Sequence, residues 1–338
     1  MKYSNELVLR VNEVYHDIIG EINDKKYLQS HIEEFHRWEN FGKKYLGTNN
    51  KKIKILDVGT GTGFIPSVIG KYLKEEDLFI CSDISSKMLE ICRKKLSSKN
   101  VNFILKILKV NGNKFDLGSR LLDFITMNSV LHHLPQFSVF FSEVDRMLKV
   151  GGRIVIGHEP NKYFIKSKIL FNNFRVVNLI FDKKRIIPTF LRKIKFQKLS
   201  KRIEYIFQQR TNIRFVNTYN KAKDLIKGEE VVKKINECIM NLKLIEKPLS
   251  PVEISCLIDF HSPTIIAYRY DKGINIYDDV KNYLPNFEIE YFETYYHLGR
   301  ATNINKFTKA YDLILRKIFP KKGAAFFMIL KKNQEIPK

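Results

Sequence analysis

The chain has 338 residues, 44% of them apolar, so it can bury a substantial core, and no apolar run reaches the roughly 20 residues that cross a bilayer. Its net charge of +23 is unevenly placed: residues 161–228 carry 18 basic residues against 3 acidic ones. Four scattered cysteines with no CxxC spacing argue against a disulfide framework or a zinc knuckle.

Residues 3–46 read as helical, with Leu7, Val11, Val14 and Ile18 at helical spacing and a second run of Ile32, Phe35, Trp38 and Phe41. Charges interrupt the first residues, so they form no signal-peptide core, and a cytoplasmic protein is expected. From Ile53 the pattern becomes alternating strand and helix. "IKILDV" is a short apolar run of the buried parallel type; a helix over 65–73 follows, with Pro66 in its first turn. "LFICS" is a second strand, 85–98 a helix capped by Ser85 or Ser86, "VNFILKILKV" a third strand, "LLDFITMN" a fourth. A helix over 138–149 leads through Gly151-Gly152 into a fifth strand, "RIVIGH". This alternation predicts an α/β fold with a doubly wound, mostly parallel sheet.

After Pro160 the alternation stops. Residues 161–228 hold basic, aromatic-rich helical stretches, and 229–245 is an amphipathic helix carrying Val231, Ile235, Cys238 or Ile239, and Leu242. Ser250, Pro251 and Glu253 spell a capping box. Strands return in 287–296 and 324–332, with a helix over 309–319 between them. The expected organisation is N-terminal helices (1–46) at an active-site entrance, a core of 47–160 with 284–332, and a helical insertion or cap over 161–283.

"LDVGTGTGF" places Gly59, Gly61 and Gly63 at the end of the first strand, where open α/β sheets bind ligands. Glycine lets a ligand approach the backbone, and the next helix offers free N–H groups. The spacing differs from the GxGxxG of dinucleotide turns, and no Gly-Lys-Ser/Thr follows as a P-loop requires.

"ILDVGTGTGF" resembles motif I of the class I S-adenosylmethionine-dependent methyltransferases. The resemblance continues in "SDISSKMLEICRKKL", "LLDFITMNSVLHHL" and "VDRMLKVGGRIVIGHEP", covering residues 50–160, with a pattern similar to the group that includes ubiquinone and menaquinone C-methyltransferases. It implies a Rossmann-like sheet whose last strand is antiparallel, and S-adenosylmethionine as cofactor. By position it implies that Gly59, Thr60, Gly61 and Gly63 pass under the amino acid part, with Asp57 orienting the amino group through that loop. It further implies Asp83 on the ribose hydroxyls, since a carboxylate accepts two hydrogen bonds, Ile84 and Met88 flanking the adenine, Asn111 and Gly112 at the adenine edge, and Asn128 beside the sulfonium. The family usually has Gly-Asp-Ala where this chain has "KVNGN".

The methyl acceptor is expected beyond the fourth and fifth strands. Candidate bases or orienting groups are Glu159 and His158 in "GHEPN", His261 in "DFHSPT" near Asp259, and His297 in "ETYYHLG" with Tyr295 and Tyr296. His132 and His133 follow strand four, read chiefly as structural or cofactor-shaping. No metal site is expected, and His31 and His36 fall on different helix faces.

The basic stretch has three readings. Ile165, Ile169, Phe174, Val177 and Phe181 fit one face of an interfacial helix, with a lipid-like or small-molecule acceptor and peripheral membrane contact through 161–228. Dense cations also suit RNA. The plain reading is a pocket cover with a solvated basic face. A cofactor-binding scaffold without catalysis is the further alternative; oligomeric state is left open.

Overall fold

The computed structural model describes residues 3–48, 51–112, 114–181, 228–261, 280–299, 302 and 306–334. A seven-stranded sheet forms its centre: β1 (Lys54–Val58), β2 (Leu78–Asp83), β3 (Ile104–Lys109), β4 (Leu122–Asn128), β5 (Leu148–Pro160), β6 (Phe287–Tyr295) and β7 (Ala325–Lys332), in the order β3-β2-β1-β4-β5-β7-β6. β1 through β5 pair in parallel, and β7 runs antiparallel to both β5 and β6. The order reverses beside β1, so the β1 and β4 ends flank the crevice where such sheets take ligands.

Helices cover both faces: α1 (Asn5–Ile19), α2 (Asn23–Phe41), α3 (Phe64–Ile69), α4 (Ser86–Ser97) and α5 (Phe137–Met147). One face packs Phe140, Phe141, Val144 and Met147 of α5 on Leu56, Ile125 and Ile154 of the sheet. The other packs Trp38 and Phe41 of α2 with Ile55, Phe79 and Phe327. α4 is capped by Ser85, whose hydroxyl accepts from the Met88 N–H at 3.0 Å. The second run of N-terminal apolar residues splits: Trp38 and Phe41 are buried, whereas Ile32 and Phe35 are exposed.

The segment expected as one cap divides between two places. α6 (Lys162–Lys166) and α7 (Lys168–Phe181) share a cluster with the late segment through Phe164, Leu170, Val177, Leu298 and Leu315. α8 (Gly228–Asn241) and α9 (Pro251–Ile258) instead pack on α1 through Val231, Ile235, Ile239, Ile254 and Leu257, with Met88 in the same cluster. The capping box on α9 is present: Ser250 Oγ accepts from the Glu253 N–H, and the Glu253 carboxylate accepts from the Ser250 N–H at 2.8 Å. α10 (Lys306–Ile318) lies between β6 and β7. The apolar face expected on 165–181 is divided too, with Val177 buried, Phe174 half-buried and Ile169 exposed. The rest of the basic stretch, 182–227, lies outside the described residues, as do Pro263 and Thr264 beyond His261. Among the described residues, no helix is long and apolar enough to cross a membrane.

Candidate active site

The glycine turn follows β1 directly. Gly59 and Gly63 have positive φ, and a Cβ would lie 2.5 Å from a Val130 methyl at the first and 2.9 Å from Cys92 Sγ at the second. These two glycines are needed for close packing. Gly61, also at positive φ, has nothing within 4 Å of its Cβ position. Open space above a half-buried backbone bend is what a ligand lying on that bend requires.

Asp83, at the end of β2, ties this turn to the next one. Its Oδ2 accepts from the Gly61 N–H and its Oδ1 from the Ser85 N–H, both at 2.9 Å. Burial pushes its pKa to about 6, against the pull of those N–H groups. Each carboxylate oxygen keeps a second lone pair for a hydroxyl donor. Asp57 is fully buried; Thr126 Oγ1 donates to its Oδ1 at 2.7 Å. Burial raises its pKa to about 7. The Thr60 and Thr126 hydroxyls both pull against that rise. A buried carboxylate beneath the turn, an open cradle above Gly61 and a carboxylate one strand over fit a cationic, ribose-bearing ligand such as S-adenosylmethionine.

The other positions named from the sequence lie in varied surroundings. Ile84 is half-buried; Met88 is buried against α1. Asn111 is exposed and lines a groove of about 420 Å³ with Leu108, Lys109, Val110, Lys114, Phe115 and Asp116. Gly112, at positive φ, would meet Leu9 of α1 at 3.0 Å if it carried a Cβ. Asn128 is engaged: its Oδ1 accepts from the Trp38 indole N–H at 2.9 Å. α2 runs along the mouth, with Asp24 hydrogen-bonded to Thr62, His31 stacked on Phe64 at 4.4 Å, and Glu34 facing His158 Nδ1 at 3.1 Å.

Register brings the ends of β4 and β5 together, because Asn128 pairs with Gly157. Two residues further along β5, Glu159 Oε1 accepts from the Val130 and Leu131 N–H groups at 2.6 Å, and Oε2 from the His132 N–H at 3.2 Å. His132 Nδ1 lies 2.7 Å from the same Oε2. Glu159 is 0% exposed, so it shapes the turn and holds the imidazole; it does not face an open pocket. Burial pulls the His132 pKa down, but Glu159 and then Asp259 more than offset it, and the net shift is upward. His133 moves the other way, to about 4, through burial and the neighbouring His132 charge. Its Nδ1 is 2.5 Å from the Ile258 carbonyl, which fixes the ring.

His261 joins this group, donating its backbone N–H to the His132 carbonyl at 2.7 Å, with its ring 4.4 Å from that of Phe137 and tilted by 36°. His158 stands on the opposite side of β5, at positive φ, against Glu34 and, at 3.4 Å, the Tyr295 hydroxyl. Arg37 lies over the Tyr295 ring at 3.6 Å. His297 is buried elsewhere, its Nε2 2.9 Å from the Phe319 carbonyl, and no hydrogen bond joins it to the other candidates among the described residues. Ligand atoms of His132, His133 and Asp259 fall within 4.8 Å of one another, donors suited to a transition metal, although the proton favoured on His132 competes with a cation there. Sequence spacing misses that trio because Asp259 arrives from α9. The Glu159–His132 pair was open to detection: Glu159 lies at the end of β5 and His132 just past β4, strands that neighbour in the sheet.

Residues 56–156 match the family model described as "Methyltransferase domain". The chain is 27% identical over 148 residues to the ubiquinone/menaquinone biosynthesis C-methyltransferase UbiE of Wigglesworthia glossinidia brevipalpis, covering 43% of this chain and 59% of that one. It is 26% identical to the enzyme of the same name from Vibrio cholerae (strain ATCC 39541), covering 45% and 58%. The chain thus spans less than two thirds of these relatives. A SAM dependent methyltransferase from Aquifex aeolicus is 27% identical over 37% of this chain and 64% of its own, with a TM-score of 0.33. The matched model and the motif-bearing turns support a methyltransferase domain of the class I, S-adenosylmethionine-dependent kind over residues 56–156.

Proposed function

We propose that this protein methylates a small, largely apolar acceptor, at a carbon or oxygen that must lose a proton, with His132 as base and Glu159 as the residue that positions it. The observation carrying this reading is the buried 2.7 Å contact between His132 Nδ1 and Glu159, next to the glycine turn through Val130. A carboxylate on Nδ1 fixes the tautomer in which Nε2 is the proton acceptor, and it favours the imidazolium that forms. The relatives' printed activity, C-methylation in ubiquinone and menaquinone biosynthesis, supports a carbon acceptor.

When bound, S-adenosylmethionine supplies a methyl carbon on a sulfonium that departs as a neutral thioether. Gly61 and Asp83 would hold the cofactor's amino acid and ribose parts, with Asp57 beneath the turn. His132 takes the acceptor's proton as the acceptor's electron pair moves onto the methyl carbon. Val130 and the buried residues around it keep water from the reacting centre.

The test is transfer of radiolabelled methyl groups to extracted lipids, to soluble metabolites and to total RNA in parallel. Label in an apolar small molecule, lost by about 100-fold or more in His132→Ala, is expected. Label only in RNA would favour the nucleic-acid reading. Cofactor binding with no labelled product in any fraction would favour the scaffold.

A further inference from the structure

α10 is built for two surroundings. Thr308, Asp312 and Leu315 are buried, and Leu315 packs with Phe164, Leu170, Val177 and Leu298. Asp312, the one acid on this helix, is consumed inside: it accepts from the Leu298 N–H at 2.9 Å and from Thr302 Oγ1 at 2.7 Å. What remains outside is apolar and basic. Phe307 is 67% exposed, Ile314 55% and Ile318 59%. At helical spacing these three fall within about 40° of arc. Lys306, Lys309 and Lys317 are exposed on other arcs of the same helix, and Lys322 is exposed just beyond its end. α7, in the same cluster, exposes Ile169 and Val176 at matching heptad positions. No acidic residue occurs from Asn161 to Phe181.

We infer that α10, with α7 beside it, docks on the headgroup–acyl boundary of an anionic lipid bilayer. Apolar side chains lose their contact with water only in a medium of acyl chains, and lysines beside them meet anionic headgroups. Nucleic acid would satisfy the lysines but offer nothing to Ile314 and Ile318, since binding there relies on phosphate attraction and aromatic stacking. A second copy seated on the same face would bring like-charged lysine rows together. A chain of ion pairs links the docked unit to the β5 end: Arg316 of α10 pairs with Glu293 at 2.6 Å, Glu293 with Arg37 at 2.7 Å, and Arg37 with Glu34, the partner of His158. An acceptor dissolved in the bilayer would therefore meet the protein near the β5 end. That last step rests on the proposed apolar acceptor; the docking itself does not.

The experiment is co-sedimentation of the full chain with vesicles of phosphatidylcholine alone or mixed with phosphatidylglycerol, with cofactor calorimetry on every variant. Expected is binding to the mixed vesicles, weak binding to phosphatidylcholine, and a loss of about tenfold or more in the Phe307→Ser/Ile314→Ser/Ile318→Ser variant at unchanged cofactor affinity. Lys306→Glu/Lys309→Glu/Lys317→Glu should weaken binding to the mixed vesicles and reduce its salt dependence. If the triple serine variant loses cofactor binding, Ile314→Asn alone carries the test, with a smaller loss expected. Wild-type protein that binds neither vesicle, or both equally, overturns the inference. So does serine-variant binding equal to wild type. A dimer abolished by the serine variant in place of vesicle binding, or RNA capture that the serine substitutions leave intact without vesicle binding, overturns it as well. Vesicle binding with no methylated product would leave docking standing and sink the proposed chemistry alone.

Discussion

His132 and Glu159 meet across the ends of two adjacent strands, Nδ1 to Oε2 at 2.7 Å, and the same carboxylate gathers the N–H groups of residues 130 to 132. The imidazole is thus oriented by the group that also builds its loop. Glu159→Gln keeps an acceptor for some of those N–H groups but removes the charge. We expect kcat to fall by about 10- to 100-fold with KM little changed. The acid limb of the wild-type rate profile should lie above the ordinary imidazole value, since His132 must lose its proton to act, and it should move to lower pH in the variant. A midpoint that does not move would remove Glu159 from the positioning role.

Asp83→Ala should weaken cofactor binding by about 10- to 100-fold, the worth of a hydrogen bond to a buried charge. It also unties Gly61 from Ser85, so calorimetry should be paired with a melting curve. Unchanged affinity in a folded variant would reject the ribose assignment.

Cofactor binding should be linked to proton release. Asp57 and Asp83 are pushed up to about 7 and about 6 by burial, and a cationic, hydroxyl-bearing ligand favours their ionised forms. Affinity should therefore rise from pH 5 to pH 8, with protons released near pH 6, read by calorimetry in buffers of different ionisation heat. Stability of the free protein moves oppositely. Below the ordinary carboxylate value both states are protonated; above it the unfolded chain loses protons that the folded chain retains. Folding stability thus falls as pH rises toward about 7, then levels. Asp57→Asn should flatten that fall and weaken cofactor binding; a pH-independent affinity in wild type would contradict the linkage.

The glycines of the turn should separate under substitution. Gly61→Ala places a methyl in open space at positive φ, costing about 1 kcal/mol of stability while obstructing the cradle. Gly63→Ala drives a methyl against Cys92 Sγ and should destabilise the fold more, with partial rescue by Cys92→Ala. Equal melting temperatures for Gly61→Ala and Gly63→Ala would show that this contact is not the constraint.

Much of this was legible along the chain. Short apolar runs alternating with amphipathic ones dictate a parallel sheet, because both faces of such strands must be buried and each crossover needs a helix. Glycines, Asp57 and Asp83 mark the crevice because they sit at strand ends, a local property. Ser250, Pro251 and Glu253 specify a helix start through hydrogen bonds spanning only three residues. Sequence alone could not decide which distant groups share one volume. His133 finds its backbone acceptor in Ile258, Asn128 is occupied by Trp38, and Glu34 meets His158, each pair joined by packing between elements far apart in sequence. Surroundings are likewise a tertiary property: Glu159 lifts His132 against its burial, burial carries His133 down, and Phe307, Ile314 and Ile318 are left outside. Local periodicity fixes which side of a helix is apolar; only the assembled core determines whether that side meets protein or something else.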